Sequence, residues 1–196
     1  MFAVTIDQDR SRTRPDAVPG LLTAVGDVPA VLPFERTIGD EVQALLDDPE
    51  AVVEVVARVA AAGGWALGVG VGDVESPLPA STREARGTAY LLARDAVEDA
   101  KRAPAVRLRG SDPETAEHAE TALQVLAGLV AGRSEAGWEA VRAMADHATQ
   151  AEAAAALGIT PQAMNRRLVV AGWSVEERVR RLATHLLDVA DLGSPS

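Results

Sequence analysis

Residues 149–168 read Thr149-Gln-Ala-Glu-Ala-Ala-Ala-Ala-Leu-Gly-Ile-Thr-Pro-Gln-Ala-Met-Asn-Arg-Arg-Leu168. The stretch predicts two short helices meeting at a glycine corner, a helix-turn-helix. Thr149 and Glu152 have the S/T-x-x-E spacing of a capping box, which starts a helix. Ala153, Ala154 and Ala156 are small enough for a second helix to cross closely. Gly158 supplies the positive φ that ends a helix sharply, and Ile159 plugs the corner. Thr160 is an N-cap, and Pro161 stands at the first helical position, where its missing N–H costs nothing. Met164 and Leu168 turn inward. Gln162, Asn165 and Arg166 project from the first turns of the second helix, where base edges are read. Thr149, Gln150 and Arg167 are expected to position phosphates, with Thr160 completing the DNA-binding set. The plain alternative is an αα-hairpin with solvated arginines.

Charge follows the same division. Residues 149–182 hold five arginines against three glutamates, whereas the rest of the chain carries 14 basic and 26 acidic side chains. A basic patch on an acidic body still holds phosphate, because charges beyond a Debye length are screened. The acidic body repels DNA elsewhere, so one face docks, and two such units in a homodimer fit a two-fold site. The 196 residues suggest one or two domains. Apolar content is 47% with only 3% aromatic residues, so the core is expected to be Val, Leu and Ala. The absence of cysteine rules out disulfides, thiolate zinc sites and thiol nucleophiles. The three histidines, His118, His147 and His185, are scattered. With no signal peptide pattern and no apolar run long enough to span a bilayer, a cytoplasmic protein is expected.

Outward from the decisive stretch, the chain alternates strands and helices. Residues 1–7 read as a strand and 8–16 as a loop with Arg10, Arg12 and Arg14. Residues 18–24 read as a helix. Residues 28–36 read as a strand interrupted by Pro29 and Pro33, which remove ladder donors, so an edge strand or one with ragged ends is expected, and a turn at 37–40 leads to a strand over 41–46. Asp48 caps a helix to about Ala62, and 65–72 (WALGVGVG) form a strand whose glycines mark close backbone approach. Thr82 is expected to cap a helix to about Arg102, with Ser81, Arg83 and Arg86 at its start. Such a terminus either holds an anion or is a solvated helix end. Pro104 to Arg109 form a strand, Asp112 caps a helix to about Gly132, and Ser134 caps the next. A closing helix over 175–190 carries Val179, Leu182 and Leu186 on one stripe, and residues 192–196 read as a frayed tail. The face Ala119, Ala122, Leu123, Leu126 and Val130 is expected to dimerise.

The order β-α-β-β-α-β-α-β followed by helices predicts an α/β (α+β) fold: a ferredoxin-like sandwich followed by an all-α helix-turn-helix domain. The expected boundaries are 1–110 for the α/β domain and 111–196 for the helical linker and helix-turn-helix.

Two resemblances add to this reading. The turn Arg36-Thr-Ile-Gly-Asp-Glu-Val-Gln43 resembles the hairpin of class III nucleotide cyclases, in which a lysine-x-x-glycine-aspartate segment joins two strands. The first strand of that family ends in a second metal-binding aspartate, as the first strand here ends in Asp7. The resemblance implies a nucleotide-cyclase-like fold, Mg²⁺ on Asp7 and Asp40, and a nucleotide on Arg36 and Arg94; the expected helix start separately offers Arg83 and Arg86 as anion ligands for the same nucleotide. Two carboxylates at adjacent strand ends suit a hard cation completed by a triphosphate; the plain alternative makes Asp40 a turn residue. The chain departs from the family pattern twice: Arg36 replaces the lysine, and Tyr90 stands where an asparagine precedes the arginine by four. Both departures argue against cyclisation.

Over nearly its whole length the chain also resembles the SatD family of MarR-like bacterial regulators. The matching segments are Phe2–Gln8, Leu32–Arg36 with Gly39–Gln43, Pro79–Arg83, Arg86-Gly87 with Ala93-Arg94, and Trp138-Glu139 with the terminal helix pair. That resemblance implies a DNA-binding transcriptional regulator with a ligand-sensing or dimerising N-terminal domain. The alternatives are a metal-dependent nucleotide-binding or nucleotidyl-cyclase-like enzyme and an adaptor whose helix pair binds protein.

Overall fold

The computed structural model describes residues 1–11, 13–102 and 105–193. Arg12, Pro104 and the tail residues 194–196, for which sequence expectations were stated, lie outside them. The described residues form five strands, β1 (Phe2–Gln8), β2 (Leu32–Arg36), β3 (Glu41–Leu46), β4 (Trp65–Val71) and β5 (Val106–Arg109). Eight helices accompany them: α1 (Val18–Val25), α2 (Pro49–Ala62), α3 (Thr88–Ala100), α4 (Pro113–Ala131), α5 (Glu135–Asp146), α6 (Gln150–Ala156), α7 (Pro161–Val170) and α8 (Trp173–Leu192). The mixed α/β class is therefore as expected.

The strands make one mixed sheet in the order β2-β3-β1-β4-β5. β1 is antiparallel to both β3 and β4, β2 is antiparallel to β3, and β5 is parallel to β4. β2 lies at the edge, where a strand containing Pro33 loses no ladder bond. Alternation along the strands sets the two faces. Phe2, Val4 and Ile6 of β1 and Leu67, Val69 and Val71 of β4 join one core with α1, α2, α4 and α8. Ala3 and Leu45 turn to the opposite face, where Ala89 and Ala93 of α3 cover them.

The glycines of β4 explain how close α3 comes. A Cβ at Gly70 would lie 2.0 Å from the Ala89 carbonyl oxygen and 2.4 Å from the Ala93 nitrogen. At Gly68 it would lie 2.4 Å from both the Ala93 oxygen and the Val97 nitrogen. The helix backbone rests on the strand, so only glycine fits.

Several expectations need correction. α3 begins at Thr88 rather than after Thr82. The Thr82 hydroxyl donates to Glu35 at 2.6 Å instead of capping, and Gly87, with φ 141°, holds the backbone in a conformation that only glycine takes readily just before the helix. Ser81, Arg83 and Arg86 therefore sit in a loop, not at a helix start. The apolar face of α4 is not a free dimer seam. Ala119, Ala122, Leu123, Leu126 and Val130 are all buried in the main core of their own chain, with Ala183, Leu187 and Ala190 of α8. The inner stripe of α8 is rotated accordingly: Leu182 is exposed, and Ala183 takes the inward position. Ala156 is exposed as well, leaving Ala153 and Ala154 to make the close crossing. Packing also crosses the expected 110/111 boundary, since β5, α4 and α8 share one core with β1 and β4. Helices α5–α7 alone build a separate small cluster.

Candidate functional site

Helices α5, α6 and α7 close around Ala140, Ala143, Ala153, Ala154, Met164 and Leu168. Each helix start is capped as its sequence predicts. The Ser134 hydroxyl accepts from the Gly137 N–H. Thr149 and Glu152 make both bonds of the capping box, and the Thr160 hydroxyl accepts from the Ala163 N–H at 3.2 Å. The corner is a Schellman turn. The Gly158 N–H donates to the Ala155 oxygen and the Ile159 N–H to the Ala154 oxygen, both at 3.0 Å, with Gly158 at φ 65°. Ile159 is half-buried against this cluster.

The seven expected contact residues separate into two groups. Thr149 and Thr160 spend their hydroxyls on caps. Gln150 ties α6 to α7 through the Pro161 oxygen, at 3.4 Å. Arg167 is held by Glu139 of α5 at 2.9 Å, so its expected phosphate role competes with an ion pair. Gln162, Asn165 and Arg166 are exposed, and among the described residues they have no side-chain partner. They lie at i, i+3 and i+4 on α7, one contiguous face. Val169 and Val170 continue that face at 67% and 76% exposure; no local signal in the sequence singled them out. The positive surplus of 149–182 is smaller in space than in sequence. Arg180 pairs with Glu176 and Glu54, and Arg181 with Glu177. Only Arg166 and Arg178 of the five arginines lack an ion-pair partner among the described residues.

This helix trio is fastened to the main core through Arg133, whose side chain is 2% exposed. Its guanidinium donates to Glu176 at 2.6 Å and to the Ala171 oxygen at 3.2 Å, and lies 4.5 Å from the Trp138 ring centre. Glu176 is half-buried. Burial alone would raise its pKa, but hydrogen bonds from Arg133 and Arg180 outweigh this and hold it below the usual glutamate range.

On the sheet, Asp7 and Asp40 approach closely enough for Asp40 to raise the Asp7 pKa, although burial raises it more and Lys101 opposes both. Lys101 Nζ lies 3.1 Å from Asp7. The Asp40 Oδ2 atom is buried and, among the described residues, without a hydrogen-bond partner. One oxygen is thus free for a cation while its companion carboxylate is already neutralised by an ammonium. No group of three or more His, Asp or Glu side chains is placed to hold a metal among the described residues. This donor set does not fit Mg²⁺ as it stands. Arg36 is tied to Asp16 and lies with Asp40 at a shallow cavity of ≈ 460 Å³. Arg83, Arg86 and Arg94 gather instead at a second cavity of ≈ 640 Å³, beside Tyr90. The four arginines expected to share a nucleotide are therefore divided between two places.

Tyr90 occupies the second cavity's wall with its hydroxyl buried and, among the described residues, unpaired, an arrangement costing about 1–3 kcal/mol. Burial, reinforced by the Glu35 charge, pushes its pKa up to about 12. No helix among the described residues is long and apolar enough to cross a membrane. Comparison with known proteins finds no matching family model, no matching curated protein and no matching solved structure.

Proposed function

We propose that this chain is a DNA-binding transcriptional regulator of the SatD type, with α6, its glycine corner and α7 acting as the helix-turn-helix. The observation that carries the reading is the outward row Gln162, Asn165 and Arg166, without side-chain partners among the described residues, on an α7 whose start is capped by Thr160. An amide pair reads adenine, an arginine reads guanine, and Val169 and Val170 offer apolar contact to thymine methyl groups. We further read β1–α1–β2–β3–α2–β4 as a ferredoxin-like unit. Its sheet order β4-β1-β3-β2, antiparallel throughout, supports that assignment. In this reading the unit senses a ligand or carries a dimer surface.

The homodimer in this proposal needs a surface other than α4. Val175, Leu182 and Val189 recur every seven residues along the outer face of α8, each at least 40% exposed, the interval at which one helix meets another. A single Leu182→Glu substitution is expected to convert the dimer to monomer in light scattering, and an unchanged mass removes α8 as the seam.

Selection of bound duplexes from a random pool, with and without nucleotides, tests the function. Enrichment of one motif is expected, and Arg166→Ala should cost about 1–3 kcal/mol on it and relax preference at one base pair. Of the five arginines in residues 149–182, only Arg166 and Arg178 lack an ion-pair partner among the described residues; with Arg166 assigned to a base, the logarithmic salt slope should stay near −1 per protomer, about 0.9 for each phosphate neutralised. Failure to enrich any sequence, together with salt-insensitive capture of protein partners, would leave the adaptor reading. Metal-dependent nucleotidyl transfer is the less favoured alternative, because Lys101 already holds Asp7. It predicts thermal stabilisation by Mg²⁺ with a nucleoside triphosphate, lost in Asp40→Ala.

A further inference from the structure

The segment between β4 and α3 is a strap laid over the sheet. Its two ends are joined: the Asp73 N–H donates to the Thr88 hydroxyl at 2.9 Å, and the Glu75 N–H to the Arg86 oxygen at 2.8 Å. Its middle reaches β2, at the far edge. There the Ser81 and Thr82 hydroxyls and the Arg83 N–H all donate to one oxygen of Glu35. The Arg83 guanidinium donates to the Arg36 oxygen. Because β1 and β3 lie between β4 and β2, the strap crosses three strand spacings, about 14 Å.

The strap borders the second cavity. Gln43 lines it from β3, Tyr90, Leu91 and Arg94 from α3, and Val74 and Arg86 from the strap. Arg86 and Arg94 have no ion-pair partner among the described residues. The acidic side chains Asp73 and Glu75 also border the space, so a ligand anion must sit toward the arginines. Tyr90 lines the cavity while its hydroxyl is cut off from water and has no acceptor among the described residues.

We propose that the strap-covered cavity binds a small organic oxyanion, a carboxylate or phosphate monoester with a short apolar body. Arg86 and Arg94 take the anion, and the Tyr90 ring and Leu91 face the body. Planar guanidinium groups suit either oxyanion through paired hydrogen bonds. This rests on the ligand-sensing part of the proposed function and names the class of ligand sensed.

Tyr90 is the only tyrosine in the chain, so carbon-13-labelled tyrosine gives one resonance that reports on the cavity. The full chain is titrated with phenyl phosphate, with benzoate, and with benzyl alcohol as the neutral body. Saturable movement with at least one anion and none with the alcohol is expected, the tighter anion identifying the source. Arg94→Ala and Arg86→Ala, both exposed and expected to fold, should each weaken binding at least about tenfold with unchanged circular dichroism. No movement with either anion overturns the proposal, as does equal movement with the alcohol or undiminished affinity in both variants. Duplex binding is measured separately on the same samples, so failure of the DNA reading and failure of the anion site give different results.

Discussion

The main core and the α5–α7 trio are built on opposite principles. The core collects large aliphatic side chains from strands and helices far apart in sequence. The trio closes on six buried residues, four of them alanine. Alanine buries little area, so the trio draws much of its stability from caps, a glycine corner and its attachment to Arg133, while the core draws it from area removed from water. One region is held by long-range packing and the other by local rules plus one anchor.

Substitutions break this contrast in a definite order. Gly70→Val should have the largest effect. Its side chain would start 2.0 Å from the α3 backbone, so loss of at least about 3 kcal/mol, beyond the usual cost of overpacking, is expected in urea denaturation. Arg133→Met removes one of the two arginines on half-buried Glu176 and should cost about 3 kcal/mol, the low end for a broken buried pair, because Arg180 still neutralises the carboxylate. Hydrogen exchange should show α5–α7 affected before the sheet; a uniform loss would mean the trio is not a separate unit. Met164→Ala should cost about 2–5 kcal/mol, toward the lower end if the alanine cluster can collapse. Its exchange signature should be confined to the trio. Thr149→Ala should cost about 1 kcal/mol and raise exchange only in α6.

Acid sharpens the same contrast. Glu176 and Glu54 both have folded pKa values held below the ordinary range. For each, burial acts to raise the pKa, but arginine hydrogen bonds more than offset it. A depressed carboxyl contributes stability above its unfolded pKa and loses it as pH falls through the folded value. Attachment of α8 to α2 and of the trio to α4 should therefore weaken as pH drops below about 4.3. Arg180→Gln should flatten that acid dependence, as read by thermal unfolding at successive pH values.

Much of this arrangement is legible from residue order. The caps at Asp48, Asp112, Ser134, Thr149 and Thr160 lie within three residues of the N–H groups they satisfy, so local chemistry suffices to find them. The GVGVG run likewise announces close backbone approach. Thr82 misleads because its acceptor, Glu35, lies 47 residues earlier; a threonine followed by a helical pattern looks like a cap until that acceptor is known. Apolar periodicity favours Leu182 over Ala183, yet the small residue lets α8 sit against the alanines of α4. Arg167 and Asp7 look free in sequence because Glu139 and Lys101 come to them only through tertiary packing.

Under the proposed DNA-binding function, the buried guanidinium of Arg133 bears on operator geometry. Its contacts with Glu176, Ala171 and Trp138 restrain the α5–α7 trio from turning to follow a rotated half-site. One extra base pair between the halves of a two-fold operator turns one half by about 34–36° relative to the other, given 10–10.5 pairs per turn. The clamped protein should then engage only one half at a time, whereas Arg133→Met should tolerate the altered spacing better while binding the original one less tightly.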